Sequence, residues 1–159
     1  MILLVIMGVI AIALYLTSQA QAEDTPEDLG GILDTSNSNN VVKIAEAIAA
    51  AEGFYVKGSR PQRNNNPGDM TKDLIGRAIA WDGAYPKYSV ASDGWANLYA
   101  QINAWLNGTS RYHNAQSTIA DLAGLGTEPG YTSTDKEAWA NNVASFLGLG
   151  TDTPIGEIR

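Results

Sequence analysis

The sequence predicts a mainly α (α+β) fold: a helical domain with one small β-hairpin, preceded by an N-terminal hydrophobic helix. Three observations carry this expectation. Apolar residues recur at helical spacing in four stretches between Val41 and Leu147, bounded by capping residues or glycines. Between the first two stretches, Ile75, Ile79, Trp81, Tyr85 and Tyr88 surround Asp82-Gly83, a pair favoured at hairpin turns. Ahead of them all, Ile2–Leu16 is apolar apart from Gly8 and Tyr15.

Residues 1–22 form a transmembrane anchor or a signal peptide. The apolar run is short for a bilayer span, which needs about 17–25 residues, and Thr17–Ala22 extends it weakly. Ala20-Gln21-Ala22 has the small-x-small pattern of a cleavage site, yet the positive n-region of a signal peptide is missing, because Ile2 follows Met1 directly. The anchor is favoured, with residues 2–18 in a membrane. Both readings put the rest of the chain outside the cytoplasm: membrane-anchored if uncleaved, secreted or periplasmic if cleaved. Residues 23–40 read as an acidic flexible linker, with five acids, no base and too little apolar surface to fold alone.

Residues 41–150 are the expected domain. Its first helix runs over Val41–Glu52, capped by Asn39 or Asn40 and closed by Gly53. A loop follows over Gly53–Met70, and the hairpin lies within Leu74–Val90. The second helix, Ser92–Asn107, carries Trp95, Leu98, Tyr99, Ile102, Trp105 and Leu106 at helical spacing. The third, Thr118–Leu125, opens on Thr118 and Asp121, spaced as a capping-box variant. The fourth, Thr134–Leu147, opens on Thr134-x-x-Glu137, buries Trp139, Val143, Phe146 and Leu147, and stops at Gly148. Residues 151–159 are expected to form a loose tail.

Composition removes several function classes. Without cysteine, disulfides and thiolate metal sites are excluded, and the single histidine excludes a multi-histidine zinc site. No metal and no cofactor are therefore predicted. The net charge of −7 argues against nucleic acid as a partner, since such binders normally present a basic surface. Between Gly53 and Lys87, however, Lys57, Arg60, Arg63, Lys72, Arg77 and Lys87 outweigh Asp69, Asp73 and Asp82. The surface beside the end of the first helix is thus expected to be locally positive.

Glu52 is the residue that this pattern does not explain. On a helical wheel Val41, Ala45, Ile48 and Glu52 share one stripe, whereas Glu46 projects about 120° away. A carboxyl at the buried C-terminal end of a helix is pushed toward its neutral form by desolvation and by the helix dipole. Such an acid suits glycoside cleavage, in which the departing oxygen must be protonated. Spacing alone equally allows a glutamate that turns outward to solvent. Arg63, Asn64, Asn65 and Asn66 offer donors and acceptors for a saccharide groove, or form a plain polar turn. Tyr88 and Tyr131, in or beside loops, are candidate stacking residues, whereas most other aromatics belong to helix stripes. Asp69 is the second carboxylate to test. His113, in the polar loop Ser110–Asn114, is expected at the surface.

These residues together resemble a known pattern. Glu52-Gly53-Phe54 ends a helix, and Arg63-Asn64-Asn65-Asn66-Pro67-Gly68 follows. Then come Trp81-x-Gly83 and Tyr88, separated by five residues from Gly94-Trp95. The series resembles lysozyme-superfamily domains, nearest to the lytic-transglycosylase-like and goose-type-lysozyme-like domains of phage virion-associated proteins. It covers roughly Val41–Gly148. The resemblance implies a lysozyme-like helical domain in which Glu52 is the single catalytic glutamate, with Asn64–Gly68 and Tyr88 beside the groove. It also implies peptidoglycan glycan strands as substrate. Two departures stand out: Asp69 replaces a common Asn, and Met70-Thr71 replaces an aliphatic-Arg pair. The Gly-Leu-Met-Gln motif of many lytic transglycosylases is absent.

Two functions follow as expectations. The first is a membrane-tethered, virion-associated enzyme cleaving the MurNAc-GlcNAc bond, with lytic transglycosylase favoured over hydrolase because one carboxylate suffices for it. The alternative is a non-catalytic structural or glycan-binding protein that keeps the scaffold.

Overall fold

The computed structural model describes residues 38–124 and 133–159. The expected N-terminal anchor or signal, most of the linker and Tyr131 lie outside the described residues. Among the described residues no helix is long and apolar enough to cross a membrane.

The fold is mainly helical, with one two-stranded antiparallel hairpin. Helix α1 spans Ser38–Ala51, α2 Arg60–Arg63, α3 Ala91–Leu106, α4 Ile119–Gly124 and α5 Ser133–Leu147. Strands β1 (Ala80–Asp82) and β2 (Tyr85–Lys87) lie between α2 and α3, and a 3₁₀ turn, Ile155–Glu157, closes the chain.

Helix α1 is the centre of the core. Val41, Ala45, Ala47 and Ala49 have no exposed surface, and Ile44 and Ile48 almost none. Burial on more than one face follows from its partners, since it packs against both α3 and α5. Its alanines keep the helix narrow enough for that. Leu98, Tyr99 and Ile102 come from α3, Ile119 and Leu122 from α4, and Ala140, Val143 and Ala144 from α5. Asn39 and Asn40, expected as caps, lie inside α1, as Thr134 lies inside α5. The C-terminal stop is as expected. Gly53 adopts φ +77, Phe54 N–H donates to the Ala49 carbonyl (2.9 Å), and Gly53 N–H donates to that of Ala50 (3.1 Å). This paired pattern satisfies carbonyls that a helix end leaves open.

Three expectations need correction. The stretch Gly53–Met70 is not all loop: Ser59 accepts from Gln62 N–H and Pro61 occupies the first turn, so α2 forms. Phe146 is 39 % exposed and does not belong to the α5 stripe. The loose tail is a packed element. Ile155 and Ile158 are buried in the core, and the carbonyls of Thr153 and Thr151 accept from Ile119 and Ala120 N–H, at 3.1 and 2.8 Å. Those are first-turn donors of α4, which have no partner within their own helix. Thr118 and Asp121 complete that cap reciprocally, at 2.8 and 3.1 Å, as the sequence predicts.

The hairpin pairs Ala80 with Lys87 and Asp82 with Tyr85, so its two-residue turn is Gly83-Ala84 rather than Asp82-Gly83. Gly83 has φ +62, as a type II′ turn requires at its first central position.

A set of asparagines fastens the loop after α2 to the rest. Asn66 brackets Met70, donating to its carbonyl (2.9 Å) and accepting from its N–H (3.1 Å). Asn97 of α3 donates to the Lys72 carbonyl (2.8 Å) and accepts from Leu74 N–H (2.6 Å). Asn65, at φ 51, donates to the Tyr88 carbonyl (3.0 Å), and Tyr88 N–H donates to that of Asn64 (2.9 Å). Gly94 of α3 lies so close that a Cβ there would sit 1.8 Å from the Asn65 carbonyl oxygen. Neither backbone can yield cheaply.

Two stability predictions follow. Gly94→Ala should destabilise by about 3 kcal/mol or more, because both clashing groups are backbone-fixed. Ile155→Ala should cost about 2–5 kcal/mol as a buried large-to-small change. Urea denaturation measures both, and a tail that is merely loose would leave the second variant at wild-type stability.

Candidate active site

A groove of about 810 Å³ runs along one side of the domain. One wall holds Ile48 and Glu52 at the end of α1, with Lys136 and Trp139 from α5. The segment Gly68–Lys72 and the hairpin residues Ala84 and Tyr85 form another. Leu98, Gln101 and Trp105 of α3 contribute with Tyr112 and His113 of the following loop, and α4 adds Leu122 and Ala123.

Glu52 continues the Ile48 side of α1 past the helix end, so its side chain leaves the core where the groove begins. It is half-buried. The indole Nε1–H of Trp139 donates to its Oε1 at 2.8 Å. A buried indole N–H needs an acceptor, and this contact fixes one carboxylate oxygen. Trp139 packs against the core as expected and is also a groove wall that orients Glu52.

Asp69 lines the same groove, with its side chain only 8 % exposed. Arg60 Nε donates to both of its oxygens (3.0 and 3.1 Å), and the guanidinium also bonds Oδ2 through Nη2. The same guanidinium lies over the Tyr85 ring, 3.4 Å from its centroid. Arg60 therefore ties the loop, the carboxylate and the hairpin together. Asp69 has φ 44, which is uncommon for a residue other than glycine. The expected positive surface is, within the groove itself, a balance of Glu52 and Asp69 against Lys72 and Lys136.

Among the described residues, those expected as saccharide contacts lie away from the groove. Asn64 and Asn66 have no exposed surface, and Asn65 is spent on the Tyr88 carbonyl. Arg63 faces solvent, donates to the Gly58 carbonyl (2.5 Å) and approaches Asp82 at 3.7 Å. Tyr88 is 3 % exposed, and its hydroxyl donates to Asp73 Oδ1 at 3.4 Å. Burial, and then the Asp73 charge, push its pKa far up. None of these five lines the groove. The Asn run builds the support, and the residues just after it, Gly68–Lys72, form the wall.

His113 is also not where the sequence suggests. It is 7 % exposed, lines the groove and meets Trp105 edge-on, with ring centroids 5.3 Å apart. Its Nδ1 is enclosed and has no hydrogen-bond partner among the described residues. Burial lowers its pKa below 6.5, opposed by the charge of Asp121. Tyr85, Trp105, Tyr112, Trp139 and His113 line the groove, and none of them is among the residues the sequence singles out for it. The available signal was that tryptophans and a histidine on a core face carry polar atoms requiring partners.

Among the described residues no group of three or more His, Asp or Glu side chains is arranged to hold a metal ion. No protein-family model, curated protein or solved structure matches the chain.

The lowered His113 pKa has a stability consequence. The unfolded chain takes up a proton near pH 6.5 while the folded chain resists it. Stability is then fully present above that pH and falls as pH drops toward the folded value. Melting curves from about pH 7 to about pH 5 should show a larger loss for wild type than for His113→Gln. Equal losses would contradict the assignment.

Proposed function

We propose that this chain cleaves the MurNAc-GlcNAc bond of peptidoglycan, with Glu52 as the general acid and then the base. The observation that carries the reading is the position of Glu52: a half-buried carboxyl at a helix end, held by an indole N–H, on the wall of a groove of about 810 Å³. The likeness of Glu52-Gly53-Phe54 and the Asn-rich loop to lysozyme-superfamily domains supports it, as does the mainly helical fold.

In the proposed reaction Glu52 gives its proton to the glycosidic oxygen as the C1–O bond breaks. The carboxylate left behind then takes the proton of the nucleophile that attacks C1. With the muramic 6-hydroxyl as nucleophile, the product is a 1,6-anhydro sugar. With water, it is a reducing end. Both Asp69 oxygens are engaged by Arg60, which favours the route needing one working carboxylate. Asp69 then serves as a fixed negative charge beside the cationic transition state rather than as a second base. A membrane-tethered or exported domain, associated with a virion, suits a substrate outside the cytoplasmic membrane.

Glu52→Gln is expected to reduce release of soluble muropeptides from purified peptidoglycan by about 10²–10⁴-fold, with an unchanged circular dichroism spectrum. Wild-type release by the variant would overturn the reading. Mass spectrometry of the wild-type products should show anhydro-muramic ends. The second reading, a glycan-binding scaffold without turnover, is favoured by Asp69 and Met70-Thr71 departing from the family pattern. It predicts binding with no soluble product at all.

A further inference from the structure

The carboxylate at position 69 is not explained by the backbone around it. A φ of 44 suits asparagine as well as aspartate. The turn itself is held by other groups: Asp69 N–H donates to the Asn66 carbonyl (2.9 Å), and the Asn66 amide brackets Met70. An asparagine at 69 would keep this wall in shape. It could not accept from Arg60 on both terminal atoms, because its amide nitrogen is a donor. The carboxylate and the guanidinium belong together.

Arg60 reaches Asp69 from behind the wall. Asp69 and Tyr85 line the groove, and Arg60 does not. Its Nε donates to both Asp69 oxygens and its Nη2 to Oδ2, while the Tyr85 ring covers the guanidinium face. Pro61 and the Ser59 cap fix the backbone beneath it. Only a planar fork can pair with a carboxylate in its plane and stack on a ring at once. A carboxylate has about four lone-pair positions. The three contacts from Arg60, with only 8 % of the Asp69 side chain exposed, leave little capacity for a water.

We propose that Arg60 is a positioning residue that sets the product of the reaction. By occupying Asp69 it withholds the second carboxylate, so that the muramic 6-hydroxyl and not water attacks C1. This rests on the glycan-cleaving reading above. With Asp69 released, the water route opens. Glu52 then gives its proton to the departing oxygen as the C1–O bond breaks, the water oxygen bonds to C1, and Asp69 takes the proton that water loses. The product is a reducing end. With Asp69 held, Glu52 alone is left to take a proton, and the hydroxyl tethered to the same sugar has the advantage of proximity.

The experiment digests purified peptidoglycan with the full-length chain and its variants, and mass spectrometry gives the ratio of reducing to anhydro muramic ends. Arg60→Gln should raise that ratio about tenfold or more, since a positioned base contributes about 10²–10⁴-fold. Arg60→Lys keeps the charge without the fork and should raise it less. Combining Arg60→Gln with Asp69→Asn should return the ratio to the wild-type value, because the released base is gone. Near-ultraviolet circular dichroism checks each fold, and Arg60→Lys decides the matter if Arg60→Gln does not fold. An unchanged ratio in the folded single variants would overturn the proposal. So would a raised ratio that persists in the double variant, since a loosened wall admitting water would then be the cause. Mainly reducing ends from the wild type would overturn the role of Arg60 and leave glycan cleavage standing. No soluble product from the wild type would overturn both.

Discussion

The hydrogen bond from Trp139 to Glu52 is the contact on which the site depends. It joins residues 87 positions apart, so it exists only if α1 and α5 pack in one register. Each helix supplies a core stripe that ends in a polar group. On α1 the residue one turn before Glu52 is Ile48. On α5 the residue one turn after Trp139 is Val143, and both apolar residues are buried. Ala140 and Ala144 let the two helices approach closely. The same burial that stabilises the domain therefore aims an indole N–H at a carboxylate where the packed interface opens into the groove.

The opposite wall is built by a different device. The segment Gly68–Lys72 contains no regular structure, so its backbone groups need other partners. Asn66 and Asn97 supply them, each acting as a short substitute for a neighbouring strand. Gly94 lets α3 press against the loop, and Arg60 spans from α2 to Asp69 and the Tyr85 ring. Polar side chains that look suited to ligand binding are consumed in making a rigid wall. What they present to the groove is the next few residues along the chain.

That displacement explains what the sequence made legible. The four helices and the hairpin were visible because periodicity and glycine stops act locally, and the Glu52 stripe was visible for the same reason. The Asn64–Asn66 run marked the right loop, but whether an amide faces a ligand or a backbone depends on tertiary approach, which local pattern does not encode. The tail misled because two isoleucines in nine residues lack a period, though they fill the core beside α4. His113 lies in the groove wall rather than at the surface, and Trp139 serves core and groove at once, because a large ring at helical or loop spacing looks the same wherever its polar atom ends. The short helix α2 was hidden by its length, since only its Ser59 cap and Pro61 marked it.

On the proposed reading, Trp139 holds the Glu52 carboxyl in place for proton transfer. The most direct test is the turnover of Trp139→Phe on purified peptidoglycan, since phenylalanine keeps a ring in the wall and removes only the N–H donor and part of the area. Losing one hydrogen bond to a neutral carboxyl, about 0.5–1.5 kcal/mol, predicts a fall in kcat of about two- to tenfold, with KM little changed and the fold intact. A wild-type kcat in that variant would contradict the account.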